Sequence, residues 1–232
     1  MASDTFETPT MPPRPFESLA AAQVVPETAT PMSAQATPVT EDGEPDKTQP
    51  PVSALRFETP QELYKAIPQV EQMTMHRPLE NEDGLEFLLR LRASTTPEEA
   101  VTFTAFAAQP KMAIWWAYEC LRLAGDELSA PERQMMEHVA NWTNYSDNEN
   151  RYRAMQMALY SPVKTPAIFL GLAVGWSGGP IAPNDPAQVP PHRAPRAINS
   201  AVLSCLARAD LTHRSVRLAR FIDQAAALFR AY

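Results

Sequence analysis

The 232-residue chain has only two cysteines, seven glycines and four histidines. Cys120 and Cys205 belong to no Cys-x-x-Cys or Cys/His spacing, which excludes a disulfide scaffold and a zinc ribbon and predicts two buried free thiols in a reducing compartment. The longest apolar run, residues 167–176, is too short to cross a bilayer and is interrupted by Gly171 and Gly175. A basic n-region followed by an apolar h-region is missing at the N-terminus, so no secretory leader is expected and the cytoplasm is the predicted location. Sustained alternation of β-branched and polar residues is missing as well, which argues against a sheet. His76, His138, His192 and His213 stand far apart, without a second ligand at metal spacing, and nothing predicts a metal or a cofactor.

Proline and charge are present, unevenly. Residues 1–55 hold 10 of the 24 prolines and carry 2 basic against 8 acidic side chains. Such a stretch cannot bury enough apolar surface to offset its ordering entropy, so it is read as a disordered, acidic, proline-rich tail. Residues 56–232 are long enough for one core. Within them the last 41 residues, 192–232, are basic, with 7 arginines against 2 acids, although the whole chain is at −7. That net charge argues against wrapping nucleic acid.

The remaining signals are helical. Thr59-Pro60, Thr96-Pro97 and Thr165-Pro166 each join a capping hydroxyl to a residue whose missing N–H costs nothing at the first helical position. Glu62 and Glu99 complete capping boxes at the first two, and Ser129-x-x-Glu132 and Ser146-x-x-Glu149 have the same form. Apolar residues recur at three and four, as in Leu85, Leu88 and Leu89, or Leu218, Phe221, Ile222 and Ala225. The expected fold is all-α: one compact single-domain bundle of about eight or nine helices over 56–232. A proline-rich loop, 177–195, interrupts it.

Several constellations are candidates for function. Gly175-Trp176-Ser177-Gly178-Gly179 matches Gly-x-Ser-x-Gly, and Asp185 or Asp210 with His192 or His213 follows in triad order. The pattern needs a strand before the serine, whereas a Thr-Pro helix start precedes it. A helix end with a left-handed glycine and a packed Trp176 is therefore the preferred reading, and Ser177 as a hydrolase nucleophile the alternative. Trp115 and Trp116 point about 100° apart on a helix, so they cannot face one neighbour. One is expected at a contact surface, and Trp116 is assigned to it. Arg214, Arg217 and Arg220 recur by three and would offer an anionic ligand or nucleic acid a basic face. Phe6-Glu7-Thr8-Pro9 repeats Phe57-Glu58-Thr59-Pro60.

Trp115-Trp116-Ala117 with Cys120, then Trp142, Arg153-Ala154-Met155, Thr165-Pro166, Trp176-Ser177-Gly178-Gly179, Ala182-Pro183, Val189-Pro190-Pro191-His192 and Ala201-Val202-Leu203 follow one another along the chain. This order of motifs resembles a bacterial family of unknown function encountered alongside type VI secretion genes. The resemblance covers roughly residues 85–230 and implies a compact helical domain, a bacterial cytoplasm and an accessory role near a secretion apparatus. Pro180-Ile181 departs from the pattern, since Pro180 has no N–H to offer an anion. The combined expectation is a non-enzymatic adaptor that binds another protein, a secretion-system component, through Trp116, Trp176, Ser177, Gly178, Gly179, His192, Arg214 and Arg217. Neither a membrane nor a cofactor is expected.

Overall fold

The structure, a computed structural model, describes residues 53–123, 128–182 and 187–230. They fall in the second of two units of the chain, 47–232. Residues 1–52, most of the expected tail, lie outside the described residues, as do 183–186 of the proline-rich loop.

Nine α-helices are formed among the described residues: α1 (Pro60–Ala66), α2 (Gly84–Arg92), α3 (Glu99–Ala107), α4 (Pro110–Arg122), α5 (Ala130–Asn144), α6 (Asn148–Tyr160), α7 (Pro166–Trp176), α8 (Arg193–Arg208) and α9 (Leu211–Arg230). A short 3₁₀ turn, Pro68–Gln72, follows α1. The fold is all-α. Extended pairing among the described residues is limited to one isolated antiparallel bridge between Leu55 and Ala108. No helix of the described residues is long and apolar enough to cross a membrane.

Helix starts follow the capping chemistry with two exceptions. Thr59 Oγ1 accepts from Glu62 N–H at 3.3 Å, and Thr165 Oγ1 accepts from Ile168 N–H at 3.4 Å. Glu132 Oε2 accepts from both the N–H and the hydroxyl of Ser129. At Ser146 the expected box moves by one residue: Asp147 caps α6 by accepting from Asn150 N–H at 2.7 Å, while the Ser146 hydroxyl donates back to Trp142 O. A charged acceptor on a short side chain outcompetes the neutral hydroxyl for the N-terminal amides. At Thr96-Pro97 the helix starts late, at Glu99, and the box is not formed: the Thr96 N–H donates to Ser94 Oγ, while its hydroxyl donates to Glu99 Oε1. Glu99 Oε2 accepts from the N–H groups of Met75 and His76 at 2.9 and 3.0 Å, pinning the strap between the 3₁₀ turn and α2.

Two helices lie inside the others. All nine residues of α3 are buried, and so is α7 from Pro166 to Gly175 apart from the half-buried Phe169. A helix apolar all round has no solvent face and must be surrounded. α3 packs against α1, α2, α8 and α9, and α7 against α4, α5, α6 and α8, so α8 touches both inner helices. Edge-on rings link four elements on the α3 side: Tyr64 to Phe87 at 6.0 Å, Phe87 to Phe103 at 4.8 Å and Phe103 to Phe229 at 6.1 Å. On the α7 side, close approach depends on glycine. A Cβ at Gly171 would collide with Met135 Sδ, and one at Gly175 would sit 2.5 Å from Met155 Cβ.

Residues 53–55, assigned to the tail by composition, pack onto the domain. Ala54 is buried, Arg56 N–H donates to Ala107 O at 2.8 Å, and Gln109 N–H donates to Ala54 O at 2.7 Å. The folded unit thus begins earlier than Arg56.

Candidate functional site

Helix α7 ends at the Trp-Ser-Gly-Gly element as a helix end and not as a nucleophile elbow. Gly175 is inside the helix, Ser177 is its C-cap, and Gly179 has φ +84°, the left-handed conformation that favours glycine. Both the N–H and the hydroxyl of Ser177 donate to Val174 O, at 3.2 and 2.8 Å. Neither of the histidines in triad order bonds to that hydroxyl: His192 borders a different cavity, and His213 contacts Thr212 at the start of α9. Asp185 lies outside the described residues.

What holds this turn in place is Arg151 of α6. The side chain is buried, 2% exposed, and its guanidinium lies 4.3 Å from the Tyr152 ring centroid. Nη1 donates to Gly175 O at 2.9 Å and to Pro180 O at 3.0 Å, so one nitrogen ties the two ends of the turn together. Nε donates to Asn148 Oδ1 at 3.2 Å. Nη2 is buried without a hydrogen-bond partner and lies 3.7 Å from the point where a Cβ on Gly179 would be. Among the described residues no carboxylate compensates the charge, and the carbonyl-rich end of α7 takes that role in part.

Two cavities meet at Trp176. The smaller, of about 220 Å³, is bordered by Arg56, Ser177, Gly178, Gly179, Gln188 and the α8 residues Ala194 and Pro195. The larger, of about 500 Å³, lies between Phe169 and Leu172 of α7 and His192, Arg193 and Arg196 at the start of α8. The Arg193 guanidinium is 5.9 Å from the Trp176 ring centroid. Arg56 meets the Phe57 ring at 5.7 Å, and burial lowers its affinity for its proton from the ordinary arginine value. Among the described residues neither cavity is bordered by an Asp or Glu.

A third cavity, of about 560 Å³, lies between α4 and α9. Met112 and Trp115 on one wall face Ala227 and Leu228 on the other, and Lys111, Glu119 and Gln224 supply its polar edge. Trp115 is 45% exposed. Trp116 is fully buried, and its Nε1–H donates to Phe221 O at 3.0 Å, so the surface assignment of Trp116 is corrected to Trp115. The indole of Trp116 is taken up by a core contact with a backbone carbonyl of α9.

The expected site is therefore divided. Trp176, Ser177, Gly178, Gly179 and His192 come together at the end of α7. Trp116 lies in the core between α4 and α9. Arg214 and Arg217 belong to α9, far along the chain from both, and they do not share one task. Arg217 borders a shallow cleft with Leu123, His213, Val216 and Arg220, while Arg214 Nη2 donates to Ala207 O at 3.0 Å, closing the end of α8. The stripe spaced by three is split because the α8 carbonyls need donors.

Sequence reasoning missed Arg56 and Arg151. Arg151 carried a signal: it occurs in phase with Ala154, Met155 and Ala158, on the buried face of α6, where a charged residue is out of place. Arg56 carried none, since it opens a segment whose role depends on the distant Ala107. Among the described residues, no group of three or more His, Cys, Asp or Glu is placed to hold a metal ion.

Fold and site together define an all-helical domain that displays an aromatic cleft and an arginine-rich turn. The chain belongs to a family of unknown function, DUF6931, whose model matches residues 87–229. No curated protein and no solved structure matches it.

Proposed function

We propose that this protein is a non-enzymatic helical interaction module that binds another protein through the cleft between α4 and α9. The observation that carries this reading is Trp115, 45% exposed beside Met112, Ala227 and Leu228 in a 560 Å³ cleft. An exposed indole set in an apolar cleft with a polar edge has the make-up of a binding hot spot, since it offers a large, stiff surface at low entropic cost. Ser177 donating back into its own helix end, with Arg151 spent on holding the turn, supports a structural reading of the Gly-x-Ser-x-Gly element over a nucleophilic one.

The partner to test first is a component of a type VI secretion apparatus, following the resemblance of the motif order to a family met beside such genes. The reading carries with it a bacterial cytoplasmic location and an adaptor's part for the acidic N-terminal segment. Affinity capture of the full-length protein and of Trp115→Ala from the same cells tests it. Loss of a specific partner with Trp115→Ala, at unchanged thermal stability, is expected. Identical partner sets for both forms would remove the cleft from consideration.

A further inference from the structure

Five arginines elsewhere in this acidic protein are matched to carboxylates, Arg90 to Glu82, Arg92 to Asp223, Arg122 to Glu119, Arg153 to Glu149 and Arg208 to Glu132, and Arg77, Arg133 and Arg214 are matched to backbone carbonyls. Around Trp176, Arg56, Arg151, Arg193 and Arg196 have aromatic rings, carbonyls or no partner, and none of them meets a carboxylate among the described residues. Arg193 and Arg196 are exposed and Arg56 is half-buried, whereas Arg151 is fully buried and is offset only by carbonyls and a ring, at a cost to stability.

The smaller cavity also has backbone donors to spare. Gly178, Gly179 and Ala194 border it, and their N–H groups make no hydrogen bond among the described residues. Gly179 is left-handed, and Ala194 is in the first turn of α8, whose N-terminus has no side-chain cap and no acidic residue. Turns of this kind and open helix starts both present partial positive charge to an anion. The missing N–H of Pro180 is offset here, because its carbonyl is turned inward to Arg151, whose unpartnered Nη2 lies directly behind Gly179. At about 220 Å³ the cavity is smaller than the roughly 300–1,000 Å³ that encloses a whole small molecule, so it suits a headgroup. Three amides and a bidentate guanidinium supply five donors against the roughly four lone-pair sites of a carboxylate, and a dianion balances two arginines.

We propose that this cavity binds the phosphate group of a small phosphomonoester, with Arg56 and the amides of Gly178, Gly179 and Ala194 as donors and Trp176 with Arg193 receiving the organic part. Arg151 is a positioning residue: it shapes the turn from behind. The proposal is independent of the Trp115 cleft and stands or falls separately.

Calorimetric titration of the full-length protein at low ionic strength, with inorganic phosphate, phenyl phosphate and benzoate as probes, tests it. Phenyl phosphate is expected to saturate one site and to bind more tightly than phosphate, with benzoate weakest. Arg56→Gln should weaken both phosphates by about tenfold or more at an unchanged melting temperature. Arg193→Gln, at an exposed position, is the second variant and should weaken phenyl phosphate while sparing inorganic phosphate. Absence of saturable binding overturns the proposal. So does binding that survives Arg56→Gln but is lost in Arg217→Gln, which would place the anion on α9, or benzoate binding as tightly as phenyl phosphate.

Discussion

Arg151 Nη1 donates to Gly175 O at 2.9 Å, so a buried guanidinium on α6 takes up a carbonyl left open by the last turn of α7. The same nitrogen reaches Pro180 O, which also accepts from Tyr152 OH, so α6 holds both ends of the turn. Arg151→Ala leaves Gly175 O without its side-chain donor and Pro180 O with only the long bond from Tyr152 OH at 3.4 Å, and it opens a void beside Tyr152. A loss of about 2–4 kcal/mol is expected in chemical denaturation. Arg151→Lys should recover less than half, because an ammonium loses the Nε bond to Asn148 and the planar group lying against the Tyr152 ring.

The two glycines of α7 should differ in their tolerance of alanine. A Cβ at Gly171 meets the flexible end of Met135, which can move, and Ala158 Cβ at 3.2 Å, which need give only slightly, whereas one at Gly175 meets Met155 Cβ at 2.5 Å, next to the α6 backbone. Replacing glycine inside a helix gains about 1 kcal/mol in propensity. Gly171→Ala should come out near neutral, and Gly175→Ala destabilised by about 1–3 kcal/mol as overpacking outweighs the gain. Urea midpoints of the two variants measure the difference.

The adjacent tryptophans should separate stability from binding. Trp116→Ala removes a buried indole and its bond to Phe221 O, at a cost of about 3–5 kcal/mol. Trp115→Ala should change stability by less than about 1 kcal/mol, since nearly half of the side chain is already in water. Acrylamide should quench the emission of Trp115 and spare that of Trp116, which variants with Phe at each position can resolve.

Acid should unfold the protein through its buried carboxylates. Burial on its own would raise the proton affinity of Glu132, but hydrogen bonds from Ser129 and Arg208 outweigh it, and the group lies below the ordinary carboxylate range. Glu99 and Glu82 are lowered in the same way, by bonds from Thr96, His76 and Met75 and by Arg90 with the Leu79 amide. A folded-state value below the unfolded one means the contribution is complete above the unfolded value, about pH 4.3, and is lost as pH falls through the folded one. Stability measured from pH 7 to pH 3 should therefore fall below about pH 4.3, and Glu132→Gln should flatten that fall while lowering the plateau.

Both cysteines should be inert in the native state. Cys120 and Cys205 are buried outside any disulfide, and burial holds the Cys120 thiol well above its ordinary value, with Cys205 and Glu119 adding to the effect. Ellman's reagent at pH 8 should modify neither until denaturant is added, at which point two thiols should titrate.

The helical architecture was legible because its signals are local. Thr59-Pro60, Thr165-Pro166 and Ser129-x-x-Glu132 mark helix starts from three or four adjacent residues, and the structure uses all three. Where one side chain could serve two masters, the sequence was silent: nothing near Glu99 says that its carboxylate belongs to Met75 and His76. The site was legible only in part for the same reason. Trp176, Ser177, Gly178 and Gly179 are contiguous, so their turn could be read, but Arg56 and Arg151 reach it across the fold. The choice between Trp115 and Trp116 rests on which side of α4 faces α9, and helical phase alone gives two equal solutions.

The bridge between Leu55 and Ala108 shows that kinship and self-sufficiency have different borders in this chain. The family model begins at residue 87, after α1, the 3₁₀ turn and the strap they hold. Yet Tyr64 lies against Phe87, Leu55 fills the space over Gly84, and the amides of Met75 and His76 satisfy the buried carboxylate of α3. The stretch matched by the family model is thus shorter than the stretch packed into this fold, and a fragment cut at residue 87 would keep the match while stripping Phe87 of its Tyr64 contact and the Glu99 carboxylate of two amide donors.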